Sequence, residues 1–373
     1  MGYHRAARRT VDAGHSPSGG QRILGGVATG GDPAAAKQEA RNSATVADFC
    51  DIYLEACKAG RILTRSEVPK KASTLDGDRG RIERHVKPLL GSLKVAAVTR
   101  SDIERFKDSV AEGASAATIK TGKHGLARIT GGRGTATRAM GMLGAIFAYA
   151  VRRGLRADNP VHGVARHRYK QRLRRVRPEE YGKLGEALRS LPANTWPVAR
   201  AVPWFLAVAG WRRGEAIALR WDEIDLVTRT AQLQDTKTGH SLRPLSRVAC
   251  DILRGLPRLG ELVFPASAGT EKQMAGFHKI WLRIATLAGL PNDVTPHILR
   301  HSFASEAADL GYSELTIAAL LGHKKASVTS KYAHHADAVL LQAADAVANR
   351  IAELMGHARP SGVVVELPKR TTS

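Results

Sequence analysis

The sequence predicts a mainly α-helical protein: an all-helical first domain, then a mixed, mostly helical domain with a small antiparallel β-sheet. Three observations carry this reading. Apolar residues recur at helical spacing over most of the chain, as in Val46, Phe49, Ile52, Tyr53 and Ala56. One stretch, TAQLQDTKTGHSLRPLS (230–246), alternates instead and holds TKTG at its middle, the pattern of a β-hairpin. Between the two regimes lies an arginine-dense run, RHRYKQRLRRVRPEE (166–180), which reads as an extended linker.

Taken in order, residues 1–42 form a short N-terminal piece, disordered over about the first twenty residues, which are rich in Gly, Ser, His and Arg, and compatible with a short helix from Gln21 to Asn42. Residues 43–165 make the helical domain. SATVADFCDIYLEACKAG starts a helix with Thr45 as N-cap. A second helix, a short connector and a third helix capped by Thr99 or Ser101 follow. The Gly-, Thr- and Lys-rich segment 114–134 reads as a loop with basic side chains. TATRAMGMLGAIFAYAVRRGL is a buried helix with Met142, Ile146, Phe147 and Ala150 inward, ended by ADNP. The linker covers 166–178, and residues 179–355 form the second domain.

That domain opens with helices in YGKLGEALRSL and ARAVPWFLAVAG. GWRRGEAIALRWDEIDL then runs from helix into strand, and the hairpin follows with Lys237 near its turn. Everything after the hairpin reads as helix. TPHILRHSFASEAADLG has Thr295 as N-cap and Pro296 at the first helical position. SELTIAALLG is capped by Ser313 and stopped by Gly322 in the left-handed conformation. SVTSKYA adds a turn or two, an alanine-rich helix runs from about Ala336 to Met355, and 356–373 is a flexible tail.

Charge narrows the function. The 373 residues include 57 Lys+Arg against 34 Asp+Glu, a net charge of +23 that favours a polyanionic partner, nucleic acid before an anionic membrane. The absence of a long apolar run argues against a membrane span, and MGYHRAARRT lacks the apolar stretch of a secretory signal, so a cytoplasmic protein is expected. Cys50, Cys57 and Cys250 show no zinc-type spacing and read as reduced, packed thiols.

Several polar residues fall at helix ends or turns, where a scaffold presents them to a substrate. Arg212 follows the buried helix, and Lys237 sits at the hairpin tip. His297 and Arg300, three apart, share a helix face. His323 follows Gly322, and Tyr332 lies nine residues on. Taken singly, a surface arginine is usually solvated, a lone histidine usually structural and a tyrosine on an amphipathic helix usually packing. As an ordered set, AGWRRGEAIAL, TKTG, HILRH, LLGH and KYAH resemble the tyrosine recombinases, the phage-type integrases, over about 177–355. The first domain is more loosely similar to the core-DNA-binding domain of that family. ILGGVATGGDPAAAKQEARNSATVADFCDIYLE is similar to the junction that follows an arm-binding module, most of which this sequence is expected to lack.

The resemblance implies site-specific integration or excision of a prophage or genomic island, by DNA cleavage and rejoining without ATP, metal or cofactor. Tyr332 would be the nucleophile of a 3′-phosphotyrosyl intermediate. Arg212 and Arg300 would grip the phosphate oxygens, for which a planar guanidinium suits better than an ammonium. The spacing G-x-R-x-x-E selects Arg212 over Arg213. His297 would assist deprotonation of the tyrosine or bind an oxygen, and His323 would donate to the phosphate. Lys237 would protonate the leaving oxygen, and Glu215 would support the site from behind. Linker residues Arg166, Arg168, Lys170, Arg172, Arg174 and Arg175 would lie along duplex phosphates. The partners implied are double-stranded DNA, three further copies of the chain in a tetramer on two DNA sites, and accessory DNA-bending or directionality proteins. The C-terminal helix would pack on a neighbouring protomer or on its own domain. The alternative is a DNA-binding protein derived from an integrase that no longer recombines.

Overall fold

The structure, a computed structural model, describes residues 44–122, 125–167, 174–236, 239–267, 269–274, 276–323 and 338–357. The chain divides into two compact units, Met1–Gln171 and Arg172–Ser373, each with its own apolar core.

In the first unit, α1 (Val46–Lys58) begins at a reciprocal cap. Thr45 Oγ1 accepts from the Asp48 amide at 3.2 Å, and the Asp48 carboxylate accepts from the Thr45 amide at 3.2 Å. Cys50 and Cys57 lie on its buried face as free thiols, and burial pushes the Cys50 thiol up to about 12. Helix α2 (Ala72–Arg81) widens into a π-helical segment, Ile82–Val86, before α3 (Lys87–Leu90). Pro88 explains the wide turn: its ring would crowd the carbonyl four residues back, and it has no N–H to donate. Helix α4 (Arg100–Glu112) takes Thr99 as its cap, again reciprocally with Asp102.

Strands β1 (Ala117–Gly122) and β2 (Gly125–Ile129) form an antiparallel hairpin with Thr118 opposite Arg128. This corrects the loop expected here and the all-helical reading of the first domain. The hairpin escaped because it has no buried face: Ile119 and Leu126 are exposed, and Ile129 alone of its described side chains is buried. Period-two patterning reports a half-buried strand and is silent on one wet on both sides. Lys120 and Arg128 stand exposed on it. Helix α5 (Arg133–Arg152) runs through the core with Met142, Ile146, Phe147 and Ala150 inward, as its spacing predicts, and Tyr149 stacks on Phe49 at 5.6 Å.

The second unit is built on α6 (Pro178–Arg189) and α7 (Pro197–Ala209), the latter buried along most of its length. Then come α8 (Arg213–Ala218) and the sheet β3 (Ile224–Asp225), β4 (Thr230–Thr236), β5 (Gly239–Pro244), in that order and antiparallel. After α9 (Arg247–Arg254), a second hairpin, β6 (Pro265–Ala266) with β7 (Gly269–Gln273), interrupts what reads as helix throughout. Its strands are too short to show a period. Helices α10 (Phe277–Leu287), α11 (Pro296–Asp309) and α12 (Glu314–Leu320) complete the unit with α13 (Ala338–Leu354). Thr295 precedes α11 without a side-chain capping bond, whereas Ser313 caps α12 through the Thr316 amide at 3.2 Å.

Helix α13 packs on its own domain. Ala343, Ala344, Val347, Ala348 and Ile351 are buried against α7, α9 and α11. Its end is fastened to α6, where Arg189 Nη1 donates to the Met355 carbonyl at 2.7 Å. Gly185 makes that approach possible, because a Cβ there would overlap the same carbonyl. Gly185→Ala should therefore destabilise the protein by about 1–3 kcal/mol, the usual cost of overpacking. Thermal melting would read this as a drop of roughly 2–4 °C per kcal/mol, and an unchanged midpoint would contradict the packing described.

Candidate active site

Two tight backbone approaches build the site. Gly210 ends α7 with φ +63°, and a Cβ on it would strike the ring of Phe303. Phe303 lies three residues after Arg300 on α11, so the same approach that seats its ring brings Arg300 to the Gly210 turn. Arg300 is 4% exposed. It donates from Nη1 to the Gly210 carbonyl and from Nη2 to the Leu321 carbonyl, both at 2.9 Å. Nη2 also lies 2.9 Å from His323 Nε2. The left-handed Gly322, φ +61°, turns the chain after α12 so that His323 meets Arg300.

Arg212 stands at the start of α8, and Glu215 reaches back to it. The Glu215 carboxylate accepts from Arg212 Nη1 at 2.6 Å and from the Arg212 amide at 3.1 Å. The same carboxylate accepts from Arg243 Nη2 at 3.0 Å. Arg243 has no solvent exposure at all. His297 lies at the solvent side of α11, its ring edge-on to His301 at 4.6 Å between centroids.

Electrostatics bind these groups into one cluster. Burial, then the charges of Arg212 and Arg243, bring the Arg300 guanidinium down to about 10, so it stays charged at neutral pH. His297 is pushed below the usual imidazole value by burial, then by His301, Arg300 and Arg212. His323 is pushed down by burial, then by Arg300, Arg212 and Arg243. The cluster thus holds three guanidinium groups, one carboxylate and two histidines that favour the neutral form. Such a set binds an anion with planar, multidentate donors. Among the described residues no group of His, Cys, Asp and Glu is arranged to hold a metal ion.

Of the residues expected from the sequence, Arg212, Glu215, His297, Arg300 and His323 are brought together. Lys237 and Tyr332 lie outside the described residues, as do Arg168, Lys170 and Arg172. Arg166 is exposed. Arg174 is engaged inside the second unit, its two Nη groups on Glu180 at 2.9 and 2.6 Å and its Nε on Asp293 at 3.0 Å. Arg175 pairs with Asp309 at 2.5 Å. Sequence reasoning missed Arg243. The signal was available: Arg243 pairs in register with the buried Ala231, so strand alternation alone turns it inward.

Residues 174–339 match the phage integrase family. Residues 174–339 are a phage integrase domain. The chain is 33% identical over 244 residues to a shufflon-specific DNA recombinase of Escherichia coli, covering 64% of this chain and 58% of that relative. It is 29% identical over 222 residues to the tyrosine recombinase XerD of Vibrio vulnificus, covering 55% of this chain and 71% of XerD. In fold it is similar to a lambda integrase dimer bound to a COC′ core site, with a TM-score of 0.59 at 19% identity over 84% of this chain and 85% of that one. The Tn1549 transposon integrase in complex with circular intermediate DNA gives 0.57 at 17% identity over 81% and 99%. The integrase domain accordingly has the mostly helical build with a small sheet that the sequence predicts.

An anion should stabilise this cluster measurably. Sulfate or orthovanadate is expected to raise the melting temperature by mass action, and Arg212→Ala to remove that rise. The histidines set its pH dependence. With folded pKa values below the ordinary imidazole value of about 6.5, the unfolded chain takes up protons first. This part of the stability is present above that pH and is lost as pH falls toward the lower folded values. A bound anion favours protonated histidine, so the anion-induced shift should be larger near pH 6 than near pH 8. Melts with and without sulfate across that range check it; a shift that shrinks on acidification would contradict it.

Proposed function

We propose that this chain is a site-specific DNA recombinase that breaks and rejoins strands through a 3′-phosphotyrosyl intermediate, in the service of integrating or excising a mobile DNA element. The observation that carries the reading is the convergence of Arg212, Arg300 and His323 with His297 beside them, held by Glu215 and by backbone carbonyls. A phosphodiester passing through a phosphorane gains negative charge on its non-bridging oxygens, and preorganised donors aimed at that charge lower the barrier most.

Tyr332 attacks the phosphorus, its proton leaving toward His297 or solvent, and the bond to the 5′-oxygen breaks. Lys237, at the hairpin turn, donates the proton that the departing oxygen needs. The ester to Tyr332 keeps the energy of the phosphodiester, so a second 5′-hydroxyl can reverse the step on a new strand without ATP. The substrate is double-stranded DNA, favoured by the +23 charge, with four copies acting on two sites. Arg166, Arg168, Lys170, Arg172 and Arg175 are the linker residues proposed to lie along the phosphates, whereas Arg174 is committed to Glu180 and Asp293. The lambda and transposon integrases similar to this chain in fold were solved on DNA, one of them as a tetramer on a Holliday junction, which supports the same partner here.

A pool of nicked duplexes with randomised sequence around the nick tests the reading. The wild-type protein should form an adduct that survives detergent, and sequencing the captured DNA gives the preferred site. Tyr332→Phe should bind that duplex normally and form no adduct; an adduct with the phenylalanine variant would refute the assignment. Arg212→Ala should lower the rate by about 10²–10³ with little change in affinity. Binding by the wild type without any adduct is the outcome expected of an integrase-derived DNA-binding protein.

A further inference from the structure

Arg243 has no place in the chemistry just proposed, yet it is among the largest side chains with no solvent exposure. Burying a guanidinium is costly unless its donors are all used. The two arginines nearby make it worse: Arg212 acts against the Arg243 charge, and Arg243 in turn acts against Arg300. A strand position opposite Ala231 would ordinarily hold an aliphatic side chain. The contacts of Arg243 explain why it does not.

Arg243 Nη2 donates to Glu215 Oε2 at 3.0 Å, while the other oxygen of that carboxylate receives Arg212 Nη1 at 2.6 Å. Its Nη1 reaches the Leu320 carbonyl at 3.4 Å, and its Nε donates to Ser241 Oγ at 2.9 Å. One face lies over the Trp211 ring, 5.7 Å from its centroid, beside Arg212 in the chain. Gly322 comes so close that a Cβ on it would fall inside the guanidinium. Gly322 is therefore required twice, by its positive φ and by the arginine beneath it. His323 and the Leu321 carbonyl, both bonded to Arg300, belong to the same turn.

We propose that Arg243 is a positioning residue for strand cleavage, a strut between the Glu215–Arg212 half of the anion site and the Leu320–His323 half. The assignment rests on the recombinase reading above. Arg243 does not touch the phosphate; it sets the separation of the groups that do. A methionine of similar volume fills the space but joins neither half. A lysine reaches one end only, as a point charge.

The test uses the full chain and the nicked duplex that the wild type selects from the randomised pool. Arg243→Met should slow adduct formation at saturating protein by about 10- to 100-fold, the cost of a misplacement near 1 Å, with duplex affinity within about twofold. Arg243→Lys should fall between. Because Arg243 and Glu215 act through one contact, Arg243→Met combined with Glu215→Gln should lose no more than the worse single variant. A residue that only filled the core would lower the melting temperature and leave the first-order rate of the folded protein unchanged. A wild-type rate in Arg243→Met, or losses that multiply in the double variant, would overturn the proposal. Should the wild type form no adduct, the recombinase reading fails and the sulfate-induced melting shift decides the strut alone. A shift reduced in both Arg243→Met and Arg243→Lys upholds it, and a full shift in both refutes it.

Discussion

One carboxylate, Glu215, lets two arginines with a third beside them share a poorly hydrated space. Arg212 and Arg243 are bound to it directly, and Arg300 is held by the carbonyls of Gly210 and Leu321 and by His323. Like charges at such separations repel by several kcal/mol where water is scarce, and one carboxylate neutralises only part of that. The remaining positive charge is what makes the site an anion site. It is also why the surrounding backbone is so constrained: each guanidinium needs its donors met by a fixed acceptor. The left-handed turns at Gly210 and Gly322 put those acceptors in place.

The same logic runs outward through the domain. Gly210 is close to Phe303 so that α11 can carry Arg300 inward. Ser302, on the same helix, accepts the Val176 amide at 2.7 Å and so ties the entry of the domain to the helix that bears the site. Asp345 on α13 takes Arg229 Nη1 at 2.7 Å at the base of the β4–β5 hairpin and accepts the Arg247 amide at 2.7 Å. The hairpin that delivers Arg243 is thereby anchored to the C-terminal helix, and that helix to its own domain. Charged groups that look like surface decoration in the sequence hold elements together in the fold.

How much of this was legible depended on whether a physical signal is local. Helices α1, α4 and α12 announce themselves through Thr45, Thr99 and Ser313, because a cap is a contact within four residues. Strands β4 and β5 show by alternation, since one face is buried. The hairpin β1–β2 does not show, since neither of its faces is. The linker arginines read alike in sequence, and nothing local separates Arg174, clasped by Glu180 and Asp293, from the exposed Arg166.

By itself the sequence determined most of the helices, the β4–β5 hairpin and the positive charge, and it pointed to Arg212, Glu215, His297, Arg300 and His323, because caps, periods and motif spacings are properties of neighbouring residues. It also determined that Gly322 must end a helix in a left-handed turn. Strand alternation turns Arg243 inward, but which acceptors the buried arginines would find, and that Arg243 and Arg212 would share Glu215, was decided by the tertiary structure. Glu215 and Arg243 lie 28 residues apart, and Arg243 and Leu320 lie 77 apart. A buried charge is stable only where its acceptors already stand, and those acceptors come from segments that meet only once the chain has folded.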